Sequence, residues 1–246
     1  MLSTINWRAA RAEVLFFVCI LSAFMAFRTA AYGMYHIPSE SMLPTLAVGD
    51  RILVSKFSYG YSRHSIPFSL GPEIHTPTGR LFGRLPERGD LVVFKHPENG
   101  ETLIKRVVGL PGDTIEIAEG RLYINGALTS RVLDATLSYR EHRGGVSTVG
   151  RFTEALPQGP SHEIYERGDH RAGDDYGPAI VPDNRLFVMG DNRDNSLDNR
   201  FAHPGVGFLP VENLVGRADV LLFSLYHARK EDGLATMKRK WFSRLN

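Results

Sequence analysis

Hydrophobic residues fall into two kinds of run along this chain. The first is one uncharged stretch, VLFFVCILSAFMAF, from Val14 to Phe27, preceded by Arg8, Arg11 and Glu13. From Arg51 onward the pattern changes to short bursts, RILVSKF, DLVVFKH, TLIKRVVGL, TIEIAEGRLYING, RLFVMGD and VGRADVLLFS, with Pro and Gly between them. Bursts of that length, rich in β-branched residues and bounded by turn formers, predict strands. In TIEIAEGRLYING the alternating Ile115, Ile117, Leu122 and Ile124 surround Glu119-Gly120, a compact hairpin signal, and Asn125-Gly126 marks a second turn. With no α/β alternation and no internal repeat, the expected fold class is mainly β, an antiparallel sheet domain.

The opening run supports two readings. As a helix its 14 residues rise about 21 Å, short of the roughly 30 Å hydrocarbon core, a length that suits a secretory h-region with Thr29-Ala30-Ala31 as its cleavage site. Continued through Tyr35 the helix reaches about 33 Å, with Arg28 snorkelling and Tyr32 and Tyr35 as interfacial aromatics. The retained anchor, residues 1–35, is the reading adopted, and Arg8 and Arg11 place its N-terminus in the cytoplasm. At the other end, residues 231–246 set Leu234, Met237, Trp241, Phe242 and Leu245 at helical spacing against Lys238, Arg239, Lys240 and Arg244. That pattern fits an amphipathic helix at a membrane interface or a solvated basic tail. Between the ends, 36–128 and 181–230 form the β domain. Residues 129–180, polar with scattered Gly and His, read as an inserted cap that is at best partly ordered.

Composition narrows the function. The 246 residues suffice for one good core and a second small lobe. A net charge of +2, from 29 basic and 27 acidic residues, gives no cationic field for nucleic acid, so no nucleic-acid partner is expected. The single cysteine, Cys19, lies inside the apolar run, which excludes an intramolecular disulfide framework and a cysteine-based metal site.

Four stretches carry candidate chemistry. In PSESMLPTL, Ser39 and Ser41 flank Glu40 shortly after the apolar run, with no Gly-x-Ser-x-Gly elbow around them. RGDLVVF reads, taken alone, as a turn entering a strand. In LIKRVVGLPGD, alternation sends Lys105 and Arg106 to opposite faces. A lysine on the apolar face loses hydration, its pKa falls, and its neutral amine can take a proton from a serine hydroxyl. The alternative is an edge-strand lysine that discourages aggregation. VGLPGD lacks the phosphate-loop pattern. GDNRDNSLDNR fails as a calcium loop, because Leu197 replaces the required Gly and His203 the required Glu. Its Asp191, Arg193, Asp194, Asp198 and Arg200 are expected to hold one tight turn together, leaving Ser196 to point elsewhere.

In this order, after one hydrophobic segment, the four motifs closely resemble those of bacterial type I signal peptidase, also called leader peptidase, over residues 36–126 and 185–224. The resemblance implies Ser41 as nucleophile, Lys105 as general base, and an oxyanion hole from the Ser39 hydroxyl and the Ser41 backbone N–H. It further implies Ser196 as the residue orienting the lysine, with Asp198 and Arg200 supporting it. By position, Tyr35, Ile37, Leu46, Val93 and Ile104 are the residues expected to line the substrate pockets. The implied activity is removal of signal peptides from exported preproteins after small residues at the first and third positions, with no metal or organic cofactor. Implied partners are signal peptides, membrane lipid and the export machinery, and the implied location is the bacterial inner membrane with the β domain outside. A processing peptidase for pilus or conjugation proteins would use the same dyad. A tethered β scaffold that binds without cutting is disfavoured by the presence of both Ser41 and Lys105. Three features depart from the family pattern: Glu40 stands where Gly is frequent, Asn199 where Ser is usual, and residues within AHPGV lengthen the loop after Arg200.

Overall fold

The computed structural model describes residues 7–66, 69, 71–201, 204–225, 233–236 and 241–245. Helix α1 (Trp7–Ala30) is followed by β1 (Tyr32–His36), β2 (Asp50–Ser55), β3 (Leu91–Lys95) and β4 (Thr102–Gly109). Next come β5 (Thr114–Ala118), β6 (Arg121–Ile124), β7 (Ala127–Leu128), β8 (Ser130–Arg140), β9 (Val146–Ala155), β10 (Ser161–Glu166) and β11 (Tyr176–Ile180). The chain closes with β12 (Arg185–Met189), β13 (Leu209–Pro210), β14 (Leu214–Ser224) and β15 (Trp241–Arg244). All six hydrophobic bursts form strands, and among the described residues every strand pairing is antiparallel.

The largest sheet runs β1-β2-β14-β3-β4-β12-β13, with β15 also against β14. Its two faces sort alternate residues as a pleated strand must. Val93 packs with Ile37, Met42, Leu46, Ile52 and Ile104, while its neighbours Val92 and Phe94 pack with Tyr59, Val107, Leu186 and Leu214. A second sheet, β11-β5-β6-β7, buries Ile115, Ile117, Leu122 and Ile124 as the alternation predicts. Both of its turns have the left-handed pair that a two-residue hairpin demands, Glu119-Gly120 at φ 49 and 69 and Asn125-Gly126 at φ 54 and 76.

Three expectations need correction. The helix does not continue through Tyr35. It stops at Ala30, because residues 32–36 pair with β2, Tyr35 opposite Ile52, and a helix there would forfeit that ladder. The Arg28 side chain lies outside the described residues. Val14, Leu15, Phe16, Phe17, Leu21 and Phe27 of α1 are each more than half exposed. Among the described residues no helix is long and apolar enough to cross a membrane.

Trp241 and Phe242, expected on an amphipathic helix, lie instead on a strand. β3 covers β14 only at Leu214–Arg217, and β15 takes up the open edge beyond, at Val220 to Phe223. Leu245 then packs against the core, which stabilises the strand more than an exposed helical face would. Residues 237–240 lie outside the described residues.

The inserted region is ordered, not partly ordered. β10-β9-β8 form a three-stranded sheet, and β11 completes the sheet of β5. Its composition misled because the sheet is half-exposed and most of its side chains are polar. Tyr139, Val149 and Tyr165 are buried from it in one cluster and pack on Leu43 and Ala47, close to Ser41 in the chain.

Arg80 and Arg106 are the largest fully buried side chains among the described residues, and Arg80 serves the backbone. It donates to the carbonyls of Tyr59 (2.9 Å), Gly60 (2.6 Å), Val211 (3.1 Å) and Leu214 (2.7 Å), tying the loop after β2 to the start of β14. Burial pulls its pKa down to about 10. Arg80→Leu would strand these carbonyls away from water, at about 1–3 kcal/mol for each one left unmet. We expect a total loss of about 3–5 kcal/mol in urea unfolding of the detergent-solubilised protein, only partly restored by Arg80→Lys. A change below about 1 kcal/mol would show that the loop finds other partners.

Candidate active site

Ser41 sits in a turn between β1 and β2. The turn is closed by Leu43 N–H on the Glu40 carbonyl (3.1 Å) and Leu46 N–H on the Met42 carbonyl (2.9 Å). Met42 and Leu46 are fully buried and sink it into the core, while Ser41 itself stays partly exposed. The hydroxyls of Ser39 and Ser41 lie 3.4 Å apart.

Lys105 comes from β4, opposite Val92 of β3, and is only 3% exposed. Its Nζ donates to Ser196 Oγ at 2.9 Å, and Ser196 Oγ in turn donates to Asp198 Oδ2 at 2.9 Å. The Asp198 charge is engaged elsewhere: Arg200 Nε meets Oδ1 at 2.9 Å, Arg200 Nη2 meets Oδ2 at 3.1 Å, and Gly190 N–H donates to Oδ2 at 3.0 Å. Burial alone would raise the Asp198 carboxyl, but Arg200 holds it below the usual carboxylate range. Lys105 therefore meets that carboxylate only through a hydroxyl. Desolvation outweighs the attraction of Asp198 and pulls the lysine from 10.5 down to about 8, with Arg200 pushing the same way.

Gly190 brings the parts together. A Cβ there would overlap the Ser196 hydroxyl and stand 2.5 Å from the Ser41 carbonyl, so only glycine lets the Ser196 turn and the Ser41 turn approach this closely. The cleft beside them holds about 50 Å³ and is lined by Tyr35, Ile37, Val93 and Ile104, four of the five residues expected there. Leu46 is the exception, because it is fully buried in the core beneath the turn. His36, Pro38, Ile52, Thr102 and Leu103 line the cleft unforeseen. The pairings of Tyr35 with Ile52 and of Val93 with Ile104 are what bring these short segments together.

The charges of the 190–200 turn do not bind one another as a set. Only Asp198 and Arg200 pair within it. Asp191 accepts from Arg106 Nε (2.8 Å) and Nη2 (2.7 Å), Arg193 pairs with Glu154 of β9, and Asp194 accepts from the backbone N–H of Arg167 (2.6 Å). The turn is thus fastened to three other segments. Glu40 also points away from Lys105. Its carboxylate accepts the His142 backbone N–H (2.8 Å) beyond β8. Asn199 is buried, accepting from Val188 N–H (2.9 Å) and donating to the carbonyls of Leu186 and Gly207. Among the described residues no cluster of His, Cys, Asp and Glu is arranged to hold a metal ion.

A partly exposed serine, with a desolvated lysine held by a second hydroxyl on an antiparallel β scaffold, is the equipment of a serine hydrolase. Similarity to known proteins bears on the family of the chain. Residues 9–223 match the family model described as signal peptidase, peptidase S26. A signal peptidase I of Rickettsia bellii is 34% identical over 215 residues, 85% of this chain and 71% of the relative. That of Rickettsia typhi is 35% identical over 220 residues, 87% and 79% of the two chains. A solved signal peptidase I from Enterococcus faecalis, 26% identical, aligns over 55% of this chain and 97% of its own with a TM-score of 0.33. The chain belongs to the peptidase S26 family of signal peptidases.

The lowered lysine has a consequence for stability. Between about 8 and 10.5 the unfolded chain keeps a proton on this amine that the folded chain has released, so stability rises with pH across that window. Below about 8 both states hold the proton, and the folded state bears the full cost of the buried charge. From pH 7.5 to 10 we expect the unfolding free energy of wild type, relative to Lys105→Met, to increase by roughly 2–3 kcal/mol. A flat difference across that range would mean that the amine titrates as an ordinary lysine.

Proposed function

We propose that this protein is a membrane-anchored serine endopeptidase that removes signal peptides from exported preproteins, with Ser41 as nucleophile and Lys105 as general base. The observation that carries the reading is the state of Lys105, buried and hydrogen-bonded to Ser196. Its pKa near 8 leaves about a tenth of the amine neutral at pH 7. Neutral Nζ takes the Ser41 proton as Oγ bonds to the scissile carbonyl carbon. The Ser41 N–H and Ser39 hydroxyl stabilise the oxygen that becomes negative. Collapse expels the amine of the mature chain, which leaves with the proton from Lys105, and an ester to Ser41 remains. Water activated by the same amine hydrolyses the ester and restores the hydroxyl.

The apolar lining of the cleft by Tyr35, Ile37, Val93 and Ile104 supports a preference for small apolar residues beside the scissile bond. The exposed apolar side chains of α1 support its use as a membrane anchor that holds the β domain beside the bilayer. That location fits substrates whose cleavage sites leave the bilayer beside the enzyme.

In detergent, Ser41→Ala and Lys105→Met are expected to reduce preprotein cleavage below detection. Ser39→Ala, which removes one oxyanion donor, should cost about 100- to 1,000-fold in kcat. The rate should rise with pH through an acid limb near 8, because only the neutral amine is competent. Cleavage sites are read by mass spectrometry on a panel of preproteins. Wild-type turnover by Ser41→Ala would overturn the dyad, and a panel cut only at pilin-type precursors would point to a specialised processing peptidase.

A further inference from the structure

The backbone that carries Ser41 is gripped from behind by one fully buried side chain, Asn192. Its backbone N–H donates to the Ser41 carbonyl at 3.0 Å, and its Nδ2 donates to the Glu40 carbonyl at 3.0 Å. The Glu40 carbonyl also accepts the Leu43 N–H, so two donors fix its direction. The peptide joining Glu40 to Ser41 is trans, which aims its N–H opposite to its carbonyl. With the carbonyl held by Asn192 and Leu43, the Ser41 N–H is turned to the other side. There it donates to no group among the described residues. A backbone donor of this kind, at a partly exposed serine lining a cleft, is held ready for an incoming acceptor.

Asn192 is itself held by the inserted sheet. Its Nδ2 is 3.3 Å from the hydroxyl of Tyr139 on β8, and residue 192 forms a parallel bridge with Tyr165 on β10, whose N–H donates to the Asp191 carbonyl at 2.9 Å. The rings of Tyr139 and Tyr165 lie 5.8 Å apart and pack with Leu43 and Ala47 on the serine turn.

We propose that Asn192 is a positioning residue for the oxyanion hole, which sets the peptide between residues 40 and 41 so that the Ser41 N–H faces the reacting carbonyl, and that Tyr139 fixes Asn192 in that pose. This rests on the Ser41–Lys105 reading above. Asn192 acts through the peptide it holds and does not touch substrate. It assigns the inserted sheet a part in catalysis, as the support behind the nucleophile.

The test compares full-length wild type, Asn192→Asp, Tyr139→Phe and Ser41→Ala in detergent. Asn192→Asp keeps the shape and the clasp on the Ser41 carbonyl but sets an acceptor against the Glu40 carbonyl. We expect its kcat to fall about 10- to 100-fold with KM within about threefold and the acid limb in place, since one hydrogen-bond donor is misaimed and Lys105 is untouched. A peptide aldehyde of substrate sequence gives the decisive readout. Ser41 Oγ adds to its carbonyl carbon, the hydroxyl proton passes to Lys105, and the carbonyl oxygen becomes the oxyanion. Aldehyde affinity should weaken by the same factor as kcat, while affinity for the product peptide with its free carboxylate stays within about threefold of wild type. Tyr139→Phe should shift kcat and aldehyde affinity in the same direction by a smaller factor, and it carries the test if Asn192→Asp does not fold. Unchanged kcat and aldehyde affinity in the folded variants would overturn the proposal. So would an equal loss of aldehyde and product affinity, which marks a merely structural role. Activity retained by Ser41→Ala would overturn the dyad instead, whereas an inactive Ser41→Ala beside a fully active Asn192→Asp removes the clasp alone.

Discussion

The organisation around the cleft depends on keeping a lysine out of water without giving it a carboxylate of its own. Lys105 has one at hand, since Asp198 is two hydrogen bonds away, but the Ser196 hydroxyl stands between them and Arg200 claims the charge. Had the amine met Asp198 directly, the pair would have stabilised the ammonium, and desolvation would no longer set the pKa. The arrangement needs every member satisfied, because a buried charge with a missing partner is costly. Arg200 answers Asp198, the Gly190 N–H supplies a further donor, and β4 supplies a rigid backbone for the lysine.

The same demand explains why the 190–200 turn is tied outward. A turn that must hold Ser196 within hydrogen-bonding reach of Lys105 cannot drift, and its other charges reach three separate segments. Arg106, the neighbour of Lys105, clamps Asp191, while Glu154 of the inserted sheet receives Arg193. Burial works against each of these carboxylates, yet the facing guanidinium holds both below the usual range. The inserted sheet thereby becomes part of the scaffold. It backs the serine turn through Tyr139 and Tyr165 and accepts, in Glu40, a side chain that would otherwise lie near the cleft. The Glu40 carboxylate, next to Ser41 in the chain, is drawn instead to the His142 N–H.

Much of this was legible in the sequence. Seven strands followed from six hydrophobic bursts between turn formers, and both hairpin turns from Glu119-Gly120 and Asn125-Gly126, because period-two burial and left-handed turn residues are local properties. The nearness of Ser39 and Ser41, the apolar setting of Lys105 and the pairing of Asp198 with Arg200 are also local, lying within a few residues of one another.

What the sequence left open concerns partners far apart in the chain. The tail at Trp241 reads as a helical face until the unfilled edge of β14, 18 residues earlier at Phe223, offers it hydrogen bonds. Leu46 has the position of a pocket residue, but the turn inverts it into the core. Asn192 looks like one more polar residue in an acidic loop until Ser41 arrives from 151 positions away to present its carbonyl. The sequence determined the strands of the hydrophobic bursts and which residues can do chemistry, since propensity and side-chain type are fixed locally. Only the tertiary structure decided which polar groups are desolvated together and which donor meets which acceptor, because burial and hydrogen-bond geometry arise only once distant strands have been brought into register.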